Sequence, residues 1–203
     1  MSQAALYPAR GRGEDGEARM LSAALAAFVE KGFHGASMRE IAERAESSVS
    51  SAYYYFSSKQ AILYRIVYDI TAELADSLEA AERAAGSDPA ERLAAVVRLH
   101  VLFHAERQDA SFIGNSELRS LGLDERAAVM VCRDRVTAAF ERPVMDGAMA
   151  RQFDCPDPVL TTRAIVTMAT AVAVWRRADG VLAPEAIADR YVELALRMVG
   201  ARS

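Results

Sequence analysis

The stretch SMREIAERAESSVSSAYYYFSSK, residues 37–59, is where the fold of this chain can be read. Ser37 stands three residues before Glu40, the spacing of a capping box, and Met38, Ile41, Ala42 and Ala45 then share one face of a helix about two turns long. A second short helix opens at Ser48, and Ala45, Glu46, Ser47 and Ser48 join the two. Helices this short are marginal alone. Packing both against a third through a turn of three or four residues is the helix-turn-helix solution, in which the second short helix enters a DNA major groove. On that reading Val49, Ser50, Ser51 and Tyr53 project toward base edges, while Ala52 and Phe56 turn back onto Ile41 and Phe28. Small hydroxylated side chains suit groove entry because they permit close approach and offer both donors and acceptors.

Outward from this stretch the sequence is helical in both directions. Leu21, Ala24, Leu25 and Phe28 recur along one helix face from Ala18, and Gly32 follows as a stop near Lys31. Residues 1–17 are poor in large apolar groups and carry Gly11, Gly13 and Gly16 among charges, which describes a mobile arm. After the cap pair Ser57 and Ser58, the pattern of Ile62, Leu63, Ile66, Ile70 and Leu74 predicts one long helix to about Ala85. Asp88 and Pro89 start the next, to about Gln108. A short helix around Ser111 to Leu121 and a longer one from Asp124 to about Arg151 follow. The run Asp154-Cys-Pro-Asp-Pro158 breaks the helical pattern, and two helices, Val159 to Arg177 and Pro184 to Val199, close the chain. No stretch alternates with period two, so the expected fold is all-α with about nine helices.

Composition removes several functional classes. Among 203 residues, 24 basic and 28 acidic side chains leave a formal charge of −4, so bulk charge does not bind polyanions here and any nucleic-acid reading rests on pattern. Residues 1–60 hold seven basic and seven acidic groups against 17 and 21 in the remainder, a weak asymmetry of the right sign. Two cysteines, Cys132 and Cys155, cannot build a disulfide framework, and no apolar leader follows the first arginines, which points to a reducing, cytoplasmic setting. Charges end every apolar stretch well before 18 residues, including the richest one at Ala164 to Trp175, so no membrane span is expected. There is no phosphate-cradling glycine loop, nucleophile elbow or Cys–His constellation, so neither catalysis nor a cofactor is expected. His100 and His104 share a helix face at a spacing that can chelate, but a third ligand is missing, so no metal site is assigned.

The run Ser37-Met-Arg-Glu-Ile-Ala-Glu-Arg-Ala, with Ser48 and Tyr53-Tyr-Tyr-Phe-Ser-Ser-Lys59, resembles the N-terminal signature of the TetR family of bacterial transcriptional regulators. The resemblance implies a homodimer. Its helix-turn-helix domain, residues 18–62 here, would bind a palindromic double-stranded operator, and a helical domain, residues 63–203, would dimerise and bind a small effector. It assigns Tyr53, Tyr54, Tyr55 and Lys59 to phosphates, and Ser37, Arg39, Ser48, Val49, Ser50 and Ser51 complete the expected DNA-binding set. Arg10, Arg12 and Arg19 are further candidates from the arm. Several positions depart from the signature: Glu46 stands where a turn glycine is usual, Ser47 where an apolar residue packs, and Ser50 and Ala52 where glycine and leucine are common. Glu46 is therefore expected to bear a left-handed conformation at a cost of about 1 kcal/mol.

The C-terminal region carries a second resemblance. Asn115-Ser-Glu-Leu-Arg-Ser-Leu, Arg133-Asp-Arg and Trp175-Arg-Arg-Ala-Asp-Gly180 look like the TetR subgroup that responds to acyl-CoA thioesters, implying a small hydrophobic or acyl-CoA effector. Leu102, Phe103, Phe112, Met130, Met168 and Trp175 are the candidates to line an apolar cavity, with His104 and Asn115 as polar contacts and Arg119, Arg133, Arg176 or Arg177 for a charged head. Each of these also reads as ordinary core packing or as a solvated face. Ile165, Met168, Ala169 and Val172, with Ile187, Tyr191, Leu194, Ala195 and Met198, make two broad apolar faces suited to a four-helix dimer interface or to burial within one subunit. The competing reading of the whole chain is a helical small-molecule or metal carrier whose N-terminal unit is only structural.

Overall fold

A computed structural model of the chain describes residues 12–177 and 179–201, the side chains of residues 12–15 excepted. Among the described residues there are helices and no strand: α1 Arg12–Gly35, α2 Met38–Arg44, α3 Val49–Tyr55, α4 Lys59–Ala84, α5 Pro89–Glu106, α6 Gln108–Ser116, α7 Leu123–Met149, α8 Pro158–Thr170, α9 Val172–Trp175 and α10 Pro184–Met198. A 3₁₀ turn, Leu118–Ser120, precedes α7, and one isolated antiparallel bridge joins Phe153 to Ala201. The single helix expected from Val159 to Arg177 is interrupted at Ala171, and counting α8 and α9 as one element restores the expected nine.

The starts follow the chemistry of the caps. Ser37 Oγ accepts from the Glu40 N–H at 3.2 Å, Ser48 Oγ from Ser51 at 3.0 Å, Ser58 Oγ from Ala61 at 3.1 Å and Asp157 Oδ1 from Leu160 at 2.9 Å. The box at Ser37 is half made: the Glu40 carboxylate does not return to the cap but meets Lys31 at 2.8 Å and Arg44 at 2.9 Å. Gly32 ends the regular part of α1 with φ 73° and ψ 162°, a region open essentially to glycine, before one last turn to Gly35.

Helix α1 begins at Arg12, within the segment expected to be a mobile arm. Tertiary contacts supply what local composition lacks: Glu17 pairs with Arg65 of α4 at 3.0 Å, and Gly16 is buried against Tyr55. Residues 1–11, and with them Arg10, lie outside the described residues.

Two compact units divide the chain differently from the expected boundary at residue 62. The first comprises residues up to Thr71 together with Asp109–Val129, and the second Ala72–Gln108 together with Met130 onward. The reason is burial: Ile113, Leu121 and Val129 join the core built from Met20, Leu21, Ala24, Phe28, Ile41, Ala52, Phe56, Ile62 and Ile66. The second unit has its own core, in which Leu78, Leu93, Val97 and Val101 meet Phe140, Val144, Ile165, Val172, Ile187 and Ala195. There α5 packs along α10, with α8 and α9 also against α5.

Helix α2 closes in a Schellman motif. The Ser47 N–H donates to the Ala42 carbonyl at 2.9 Å and the Glu46 N–H to the Glu43 carbonyl at 3.0 Å, which leaves Glu46 at φ 51°. The strain anticipated from the sequence is therefore present. Glu46→Gly is expected to raise the urea midpoint by an amount equivalent to about 1 kcal/mol, and an unchanged midpoint would show that the left-handed glutamate is not strained.

Candidate nucleic-acid interface

Helix α3 is held from behind and open in front. Ala52 is fully buried and Phe56 nearly so, both in the core with Phe28 and Ile41. Val49, Ser50, Tyr53 and Tyr54 are exposed, Tyr53 to 53% and Tyr54 to 83%, and Ser48, Ser37 and Arg39 are exposed beside them. Ser51 is half-buried, its amide engaged by the cap of Ser48. A protruding tyrosine pair on a seven-residue helix is an apolar liability in water unless it meets a partner.

Two of the residues expected at phosphates, Tyr55 and Lys59, make contacts within the protein. Tyr55 is half-buried, packed on the first core and edge-on to Tyr54 at 5.3 Å between ring centroids. Its hydroxyl sits so close to α1 that a Cβ on Gly16 would lie 2.2 Å from it, so glycine at 16 is what admits the ring. Lys59 directs Nζ onto main-chain carbonyls, Phe33 at 2.5 Å and Ala36 at 2.7 Å, with its ammonium 4.5 Å from the Phe33 ring centroid. An ammonium has three donors. These contacts satisfy the carbonyls that α1 exposes after its break at Gly32, and so tie α4 to the α1–α2 corner. Nothing in the sequence spacing signals either contact, because both join residues more than twenty positions apart.

Around the motif the charges are paired. Arg44 reaches Glu30 at 2.6 Å and Glu40 at 2.9 Å, and hydrogen bonds from Lys31 and then Arg44 hold the Glu40 carboxyl below its ordinary pKa. Arg39 and Arg19 are exposed and enter none of these pairs.

The residues expected to hold an effector are split between the units. Phe112, Asn115 and Arg119 belong to the first, and Leu102, Phe103, His104, Met130, Arg133, Met168, Trp175 and Arg177 to the second. Within the second unit the side chains also part ways. Phe103 is half-buried with Arg107 5.7 Å from its ring, whereas Trp175 lies at the surface, stacked 6.3 Å from Tyr191. Arg177 is exposed and meets Asp179 at 3.2 Å. Its neighbour Arg176 turns inward instead, donating from Nη1 to the Ala105 carbonyl at 3.1 Å, while Gln108 Nε2 donates to the Arg176 carbonyl at 2.7 Å. Consecutive arginines after a helix end cannot be ranked from spacing alone. Burial pushes the Arg133 pKa down.

His100 and His104 are buried and stack at 4.2 Å, 20° apart. Their rings do not converge as a chelate: His104 Nδ1 donates to the His100 carbonyl at 2.9 Å, and His100 Nε2 faces Thr170 Oγ1 at 3.0 Å. Among the described residues no three metal-ligating side chains gather. A cleft of about 540 Å³ opens in the second unit between Glu79, Glu82, Arg83, Gly86, Arg92 and Arg142. It contains none of the expected effector residues, and its lining is largely committed to ion pairs.

The family described as "Bacterial regulatory proteins, tetR family" matches residues 20–66, and "Tetracyclin repressor-like, C-terminal domain" matches residues 86–199. A crystal structure of a tetR-family regulatory protein from Rhodococcus RHA1 is 33% identical, covers 93% of this chain and 98% of its own, and superposes with a TM-score of 0.83. The Bacillus subtilis (strain 168) HTH-type transcriptional regulator YdgC is 29% identical over 135 residues, 64% of this chain and 68% of the relative. AibR, solved in complex with isovaleryl coenzyme A and operator DNA, shares the fold at 20% identity, with a TM-score of 0.80 over 92% of this chain and all of its own. These families and relatives are transcriptional regulators, not enzymes. With both halves matched and the helix-turn-helix built as described, the chain belongs to the TetR family of bacterial transcriptional regulators.

Proposed function

We propose that the protein is a cytoplasmic homodimeric repressor that a small hydrophobic or acyl-type effector releases from a palindromic operator. The observation that carries the DNA-binding part is the α3 surface: Val49, Ser50, Tyr53 and Tyr54 stand outward on a helix whose inner face is anchored by Ala52 and Phe56. Val49, Ser50 and Ser51 read base edges; Tyr53, Tyr54, Arg39 and the hydroxyls of Ser37 and Ser48 meet phosphates. Tyr55 and Lys59 serve binding by fixing α3 and the start of α4 in place, with any phosphate contact secondary to that.

Dimerisation belongs to the C-terminal helices. The 18 residues Pro158–Trp175 reach a mean hydropathy of 1.4, apolar enough by composition to cross a membrane, yet only 28% of them are buried. That apolar content exceeds the expectation from the sequence. The segment is broken at Ala171, and it reads better as a subunit face. Ile165, Ala169, Val172, Ile187 and Ala195 are consumed by the subunit's own core, leaving Leu160, exposed to 63%, with Val174, Leu194 and Met198 for a second copy. Residues 63–203 supply this interface and the effector site. An acyl-CoA is supported as the effector by the shared fold of AibR, whose structure holds isovaleryl coenzyme A.

DNase footprinting of genomic fragments tests the reading. The expected result is two protected half-sites about 34–36 Å apart, centre to centre, lost when effector is added. A chain that protects no DNA at low salt is a carrier, and the reading fails.

A further inference from the structure

Two buried side-chain nitrogens in the second unit have no protein partner among the described residues, His100 Nδ1 and Arg176 Nε. His100 is 1% exposed. His100 stands in the second half of α5, and Arg176 is anchored beside that half through Nη1 to the carbonyl of Ala105, five residues along from His100.

The hydrogen-bonding roles follow by elimination. A guanidinium Nε–H only donates. For His100, the partner of Nε2 is Thr170 Oγ1, which has no other partner among the described residues. If Thr170 donates to Nε2, one polar hydrogen is left unmatched, the Nδ1–H of His100. If Nε2 donates to Thr170 instead, the Nδ1 lone pair is left unmatched and the hydroxyl hydrogen of half-buried Thr170 must find an acceptor other than the ring. The first arrangement wastes less, so His100 Nδ1 is a donor. Burial opposes protonation of both imidazoles, joined by His104 against His100 and by the charge of Arg133 against His104. The interior of the second unit thus offers two unmet donors; the other unmet buried side-chain atom among the described residues, the Ser111 hydroxyl, which can donate or accept, belongs to the first unit.

We infer that His100 Nδ1, with Arg176 Nε, is the polar anchor of the effector site, and that the effector is an apolar compound presenting an acceptor oxygen, a carboxylate or an acyl carbonyl, rather than a cation. This rests on the reading of residues 63–203 as ligand-binding. Unmet buried donors are costly to the free protein and are repaid by an acceptor that a ligand brings, most strongly a carboxylate beside the guanidinium. An ammonium offers only further donors and meets an arginine of its own sign.

The experiment uses the full chain and matched probes: isovalerate and decanoate, their CoA thioesters, and isopentylamine and decylamine, followed by thermal shift and calorimetry. Three variants separate the atoms of the ring. His100→Asn sets an amide donor near Nδ1, His100→Gln sets its amide near Nε2, and His100→Phe removes both. Acceptor-bearing probes are expected to bind the wild type and His100→Asn, and to bind His100→Gln and His100→Phe at least about tenfold more weakly. Operator binding without probe stays unchanged in all three, which shows that they fold. The acid and thioester arms decide which oxygen is recognised. Equal affinity of the wild type and His100→Gln overturns the assignment, as does tighter binding of the amines, or failure of every acceptor probe on a folded, operator-binding chain. If amines alone release the operator, the inference fails and the regulator stands. If no variant and not even the wild type binds DNA, the proposed function itself fails.

Discussion

Lowering the pH from 7 toward 4.5 is expected to cost the second unit several kcal/mol of stability, through the histidine pair. Burial, offset in part by a hydrogen bond at the His100 carbonyl and reinforced by the charge of Arg133, lowers the His104 pKa from 6.5 to about 4. Burial and then His104 push His100 in the same direction. In the unfolded chain both rings take a proton near pH 6.5, and in the folded chain they refuse it. The unfolded state therefore binds more protons throughout that interval, and stability rises with pH. It is complete above about pH 6.5 and drains as the pH falls toward 4, by about 3 kcal/mol for His104 alone at about 1.4 kcal/mol per unit, with His100 adding to it. The paired carboxylates lose their contribution below their ordinary range, beneath this window. Urea midpoints at pH 7.5, 6 and 5 check this. A replacement of both histidines by leucine should flatten the profile, and a wild-type midpoint that does not move between pH 6.5 and 5 contradicts the account.

The second large effect is expected at Glu82. Its carboxylate is 4% exposed and bridges two arginines, Arg92 at 2.5 Å and Arg142 through Nε at 3.0 Å, while Arg92 continues to Asp146 at 2.6 Å. Burial alone would raise the Glu82 pKa, but the two guanidinium groups outweigh it and hold it below the ordinary carboxylate value. Glu82→Gln keeps the shape and removes the charge, leaving two guanidinium groups facing a neutral amide. Breaking a buried pair costs about 3–5 kcal/mol. The lower end applies here, because Arg142 reaches solvent and Arg92 keeps Asp146. A fall in the unfolding free energy below about 1 kcal/mol would mean that the network is only a surface arrangement.

Much of the fold was legible because helices announce their ends locally. Ser37, Ser48, Ser58 and Asp88 all cap helices, and the left-handed backbone at Glu46 follows from a missing glycine. What local pattern cannot carry is which distant surface a residue meets. Residues 12–17 read as an arm because the Glu17–Arg65 pair and the Gly16–Tyr55 contact are formed with partners far along the chain. For the same reason Ile113 and Leu121 were grouped with the C-terminal region although they are buried in the N-terminal core. On the α3 surface the outward set is legible from helical spacing, except that Ser51 and Tyr55 lie half inside. The effector residues were the least legible. Apolar residues at helical spacing serve core and cavity alike, and only coordinates reveal that Arg176 turns inward where Arg177 does not.

Under the proposed function the outward face of α3 docks on a duplex. Ser50 is exposed there and makes no cap, so Ser50→Glu should leave the melting temperature alone while placing a negative charge against phosphates and base acceptors. Fluorescence anisotropy with a fragment selected by the wild-type protein is the direct measurement. The expected result is a loss of affinity of about a hundredfold or more at constant salt with the fold intact. An unchanged dissociation constant would place the DNA elsewhere on the molecule and contradict the account.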